Sequence, residues 1–190
     1  MKSCISLIAS AILLSLFVPA AQAVERGGPA TLKIGQTEVV KNGFGTRNKM
    51  MLSLYECSLY LPQKSGDSAT ILDSDQPMAV RIEITSKFVS QSKMIASLTD
   101  GFRKSTGGHT TAIATDIKKF SDCFSEPIKM GDVFVLAYAP NTGVVVLKND
   151  QLKGTVGDLA FKKALMGIWL GDNPVDKNLR TAMLGTASLR

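Results

Sequence analysis

Two side chains suited to holding an anion stand close together in the first third of the chain. Arg47 ends the run Asn42-Gly43-Phe44-Gly45-Thr46-Arg47, and Tyr55 lies in the stretch Leu54-Tyr55-Glu56-Cys57-Ser58-Leu59-Tyr60-Leu61-Pro62. A guanidinium presents a planar fork that takes a carboxylate through two bonds. A phenol adds one more donor. By residue type alone, an arginine beside glycines is an exposed turn residue. Tyr55 shares a strand face with Ser53, Cys57, Leu59 and Leu61, since side chains alternate along a strand. It reads either as a core tyrosine with a backbone-satisfied hydroxyl or as the partner of Arg47.

Other chemistries lack their residues. His109 is the single histidine, follows two glycines and has no cysteine or carboxylate cluster beside it. It supplies neither a metal site nor a nucleophile–base pair. Gly27-Gly28 and Gly107-Gly108 belong to no phosphate-loop or dinucleotide pattern, and no cofactor is implied. Trp169 shares a helix with Phe161, Leu165 and Ile168 and reads as core. Met50 and Met51 read as packing residues.

The elements that must position these residues follow from hydrophobic period. Thr31 to Ile34 and Glu38 to Lys41 form two short strands closed by Asn42-Gly43, and Met50 to Leu61 a long, doubly covered strand. Gln63 to Ala69 is a polar loop, and Met78 to Thr85 another strand. Ser90 to Lys104 and Thr110 to Phe124 have helical spacing. Asp132 to Ala139, Gly143 to Lys148 and Gln151 to Val156 are strands. Helices capped by Asp158 and started near Asp176 end the chain, the last stopped by Gly185. The order predicts an α+β domain with an antiparallel sheet and helices layered on one face.

The N-terminus reads as a secretory leader over residues 1–23: Lys2, an apolar stretch from Ile5 to Val18, then Ala21-Gln22-Ala23. As a helix that stretch rises about 21 Å, short of the ~30 Å needed to span a bilayer. Residues 24–30 read as a flexible lead-in to one domain over 31–190. Export implies a periplasmic location with no transmembrane span after leader removal. It also leaves Cys57 and Cys123, which form either one disulfide or two separate buried thiols. The chain has 190 residues and a formal net charge of +6. Its lysines are dispersed among acids, without an arginine-rich arm or interleaved aromatics, which argues against nucleic-acid binding.

Three segments carry a resemblance: the two runs around Arg47 and Tyr55; the Gly131-Asp132 hairpin ending Tyr138-Ala139-Pro140; and Phe161 to Gly171 followed by Pro174-Val175-Asp176 and Leu179. In order and spacing they resemble the chalcone isomerase-like family, in its bacterial exported branch. The resemblance implies an open-faced β-sandwich whose ligand cleft lies between sheet and helices. Plant enzymes of the family use an arginine before the long strand, a threonine in it, a tyrosine and an asparagine on the first long helix, and a polar residue on a later helix. Arg47 matches the arginine. The other positions fall on Tyr55, Ser90, Ser97 and Ile168, which makes the last three cleft-lining candidates but removes the catalytic donors. The resemblance thus implies a non-catalytic protein holding a small carboxylate-bearing amphiphile, such as a fatty acid, through Arg47 and Tyr55. An isomerase with a different donor set and an envelope scaffold without ligand are the alternatives.

Overall fold

The computed structural model describes residues 26–186. The leader expected over 1–23 lies outside that range. Seven strands pair in chain order, each antiparallel to its neighbours: β1 (Thr31–Ile34), β2 (Thr37–Lys49), β3 (Leu52–Leu61), β4 (Met78–Ile84), β5 (Val133–Ala139), β6 (Gly143–Lys148) and β7 (Gln151–Val156). The helices among the described residues are α1 (Ser68–Asp73), α2 (Gln91–Ser105), α3 (Ala114–Asp122), α4 (Leu159–Leu170) and α5 (Lys177–Met183). The α+β layout, one antiparallel sheet with helices on one face, is the expected one.

Period-two alternation decides which face is covered. Met78, Val80, Ile82 and Ile84 of β4, with Phe134, Leu136 and Tyr138 of β5, turn toward the helices and are buried. α4 carries no polar stripe: from Phe161 to Leu170 only Lys163 escapes full burial. It packs on α2, where Gly101 leaves room for Ile168 and the Ser105 hydroxyl donates to the Ala164 carbonyl at 2.7 Å. Lys162 is fully buried in that helix. Its ammonium donates to the carbonyls of Ile71, Leu72 and Ser74 at the end of α1, at 2.8, 2.9 and 2.8 Å. Burial, chiefly, draws its pKa down to about 8, while the three carbonyls hold the charged form in place.

Four local expectations are corrected. Asn42-Gly43 is not a turn but lies within β2. Cβ atoms at Gly43 and Gly45 would meet the Ala182 carbonyl at 2.2 Å and the Ala182 side chain at 2.7 Å. The two glycines are therefore the flat seat of α5, while the Asn42 amide donates to Ser65 and Met183 carbonyls. The polar loop after Pro62 contains α1, whose Asp67 cap accepts from Ala69 and Thr70 amides. Residues 26–30 are tied to the sheet: Ser58 and Tyr60 hydroxyls donate to the Gly27 and Pro29 carbonyls at 2.6 and 2.9 Å. Met50 and Met51 pack against nothing; they form the exposed β2–β3 turn. In each case a local pattern was overridden by a contact distant in sequence, or by its absence.

Candidate functional site

Arg47 and Tyr55 are direct cross-strand partners in the β2–β3 ladder. Opposed residues share a face, so both point toward the helices. Tyr55 is 8% exposed, and the Arg47 side chain 18%. The Trp169 indole N–H, from α4, donates to the Tyr55 hydroxyl oxygen at 3.2 Å. Trp169 is itself core, 2% exposed.

One Arg47 nitrogen, Nη1, serves two acceptors, the Asn48 carbonyl and the Asp176 carboxylate, the latter at 3.2 Å. Asp176 is the N-cap of α5. One of its oxygens accepts from the Asn178 and Leu179 amides, and the other takes Arg47 and the Asn48 amide. The glycine seat on β2 explains the encounter, since it lets α5 lie close enough to bring its first residue to the arginine. Nε and Nη2 of Arg47 have no protein partner among the described residues. No buried side-chain nitrogen or oxygen there is left without one, so these donors reach solvent.

Burial, foremost, raises the Tyr55 pKa well above its ordinary value of 10.0, and the neighbouring Cys57 adds to the shift. The phenol therefore stays neutral and keeps its proton. It accepts from Trp169, and among the described residues nothing accepts from it. The corner thus offers a hydroxyl proton and three guanidinium N–H groups, a donor set suited to a carboxylate.

The remaining candidates fall elsewhere. Ser90 caps α2, accepting from the Lys93 amide at 3.4 Å. Ser97 is exposed on α2, and Ile168 is buried against Gly101. The structure brings none of these three to the Arg47–Tyr55 pair; Trp169, the neighbour of Ile168, takes that place. Cys57 and Cys123 are separate buried thiols. Cys57 lies on β3, whereas Cys123 sits against Gly154 of β7, four strand spacings or roughly 19 Å along the sheet and beyond disulfide reach. Burial raises both thiol pKa values. His109 is exposed. No group of His, Cys, Asp and Glu among the described residues is arranged to hold a metal ion.

Three surface grooves lie away from this corner. One of about 960 Å³ runs between α2 and α3 past Ala96, Arg103 and Ile117. Another, of about 350 Å³, lies over Leu61, Ile71 and Met78. Sequence reasoning missed Asp176 as the arginine's partner. Its helix-start position was visible as an N-cap signal, but the contact across 129 residues was not.

An antiparallel sheet in simple chain order, helices on one face and an arginine–tyrosine corner at one end define a class of small β-sandwich proteins. A family model described as chalcone isomerase-like matches residues 21–185, and the chain belongs to that family. Among solved structures it is similar to the crystal structure of the Arabidopsis thaliana fatty-acid binding protein AtFAP1, with a TM-score of 0.66 and 19% identity over 87% of this chain and 96% of that one. At that identity the likeness is one of fold. Comparison with curated protein sequences gave no match.

Proposed function

We propose that this protein is an exported, non-catalytic binder of a small amphiphilic acid, with Arg47 and Tyr55 taking its carboxylate. The observation that carries the reading is the pairing of a half-buried guanidinium having spare N–H groups with a buried neutral phenol having a spare proton. The fatty-acid binding named for the structurally similar plant protein supports it. The chain lacks the threonine, tyrosine and asparagine donors of the plant isomerases, so cyclisation of an enone has no evident catalytic set. Asp176 now holds the arginine. A guest carboxylate would take over that contact, and α5 would shift on its seat of glycines to admit the alkyl chain.

Calorimetric titration with palmitate tests this directly. Wild-type protein binds, Arg47→Ala loses about tenfold or more in affinity with its melting temperature held, and Asp176→Asn, which keeps a capping side chain, binds more tightly. No binding by the wild type, or equal binding by Arg47→Ala, overturns the reading. Native mass spectrometry of undenatured protein shows whether an acid co-purifies. Loss of a chalcone chromophore above the spontaneous rate would move the assignment to an isomerase. A scaffold is the second reading, favoured by the Arg47–Asp176 pair and by the tight burial of Trp169, which together close the corner.

A further inference from the structure

Six large hydrophobic side chains are exposed among the described residues: Met50, Met51, Leu52, Phe88, Met130 and Leu152. They come from four separate segments, yet strand register puts all four at one rim of the sheet. Lys49 pairs with Leu52 across the β2–β3 turn. Phe88 follows β4, whose last residue Ile84 pairs with Tyr55 near the start of β3. Met130 precedes Gly131, whose amide donates to the Ile84 carbonyl at 2.8 Å. Leu152 follows the β6–β7 turn, where the Asn149 amide donates to the Val133 carbonyl at 2.8 Å. The opposite rim, with the Gly35-Gln36 and Pro140 to Thr142 connections, carries none of the six.

Folding does not account for the most exposed pair. Met50 and Met51, 89% and 102% exposed, have φ of 48° and 64°, left-handed values that a two-residue hairpin normally fills with Asn and Gly. The β6–β7 turn of the same rim has the same backbone, φ of 50° and 63°, and fills it with Asn149 and Asp150. The β2–β3 turn thus spends a strained position on side chains that touch nothing.

Charge on this rim is mostly basic. Lys49, Lys87, Lys93 and Lys129 are exposed beside the apolar tips. Lys87 lies over the Phe88 ring at 5.7 Å, and Lys93 donates to the Phe88 carbonyl at 3.1 Å. Among the acids, Asp132 is paired with Lys148 at 3.3 Å, Glu126 with Lys153 at 2.7 Å and Asp176 with Arg47; Asp150 is exposed. Flexible apolar tips, spread over roughly 19 Å of sheet edge and flanked by lysines, fit a surface into which each can sink independently. A bilayer with anionic headgroups is such a surface.

We propose that this rim docks the protein on an anionic lipid bilayer, with Met50, Met51 and Phe88 entering the interface and the lysines meeting headgroups. The Arg47 corner is at the same rim, so docking would bring it to the lipid. The inference stands apart from the acid-binding reading, because none of the apolar tips or lysines that would meet the bilayer is among the residues that hold the carboxylate.

The test is co-sedimentation of the processed chain, shown by its mass to lack the leader, with vesicles of phosphatidylcholine alone and of equal parts phosphatidylcholine and phosphatidylglycerol. Binding is expected to the anionic vesicles and to weaken at about 0.5 M salt. Met50→Asn/Met51→Gly installs the residues the turn prefers, so the variant folds at least as well, yet its vesicle binding should fall about tenfold. Palmitate affinity measured in parallel separates the two readings: loss of vesicle binding by the double variant with palmitate binding kept supports this proposal alone. Absence of wild-type binding, or binding untouched by the double substitution, overturns the proposal. So does a wild-type dimer that ignores vesicles and is abolished by the same substitution.

Discussion

Under β5 to β7 the space between sheet and helices is filled by rings. Phe102 meets Phe120 edge-on at 5.9 Å, Phe120 meets Phe124 at 5.1 Å and Phe161 at 5.7 Å, and Phe124 stacks on Phe134 at 5.0 Å. At the end of β2 and β3 nearest their shared turn the same layer holds Arg47, Tyr55, Trp169 and Asp176, each hydrogen-bonded to another member of the group. The aromatic cluster needs only volume and ring geometry to be stable. The polar corner needs several groups to arrive together, and polar burial of this kind is commonly no more stable than an apolar filling. Inside the ring-filled half a mutation should change stability and leave recognition alone; in the corner it should change recognition, at a smaller cost in stability.

The largest expected effect is in the rings. Phe120→Ala should cost about 4 kcal/mol of stability, read by chemical denaturation, and leave palmitate affinity per folded molecule unchanged. A loss of affinity would mean that the ligand space extends into the aromatic half. Next is Lys162→Met, expected to cost about 3 kcal/mol because the three carbonyls at the end of α1 lose their donor in a buried setting. Its stability difference from wild type should also depend on pH. The folded pKa, about 8, lies below the unfolded value near 10.4. Between the two the unfolded chain binds more protons, so the wild type gains stability relative to the variant as pH rises through that window. A flat difference from pH 7.5 to 10.5 would show that the carbonyls cancel the effect of burial.

In the corner the expected changes are smaller in stability and extend to binding. Tyr55→Phe leaves the Trp169 N–H without its acceptor and should cost about 1–2 kcal/mol, with a several-fold loss of palmitate affinity. Unchanged affinity would make Tyr55 a core residue and leave Arg47 alone as the anion group. The smallest stability effect, and one of opposite sign, belongs to the rim: Met50→Asn/Met51→Gly should raise stability by about 1 kcal/mol.

The fold was largely legible before any coordinates. The apolar runs of β4 and β5, helical spacing in α2 and the Asp158 cap of α4 all state locally what each segment becomes. α1 escaped because a six-residue helix carries too few residues to show a period. Gly43 was misread because a glycine that opens space for another element has the same local signature as one that turns the chain. The site was half legible. Arg47 and Tyr55 could be named, and the closeness of their strands made a pairing reasonable. Ser97 and Ile168 came from positional analogy along helices, where one residue of rotation separates the sheet-facing Trp169 from the α2-facing Ile168.

The sequence by itself determined most of the strands and helices and that one face of the sheet is covered. Those properties are written in neighbours a few residues apart. Only the tertiary structure decided that Asp176 closes on Arg47, that Trp169 engages Tyr55, and that six apolar side chains from four segments share one rim. Each of these depends on how β2, α4 and α5 pack and how the strands register, and such long-range contacts leave no periodic trace in the chain.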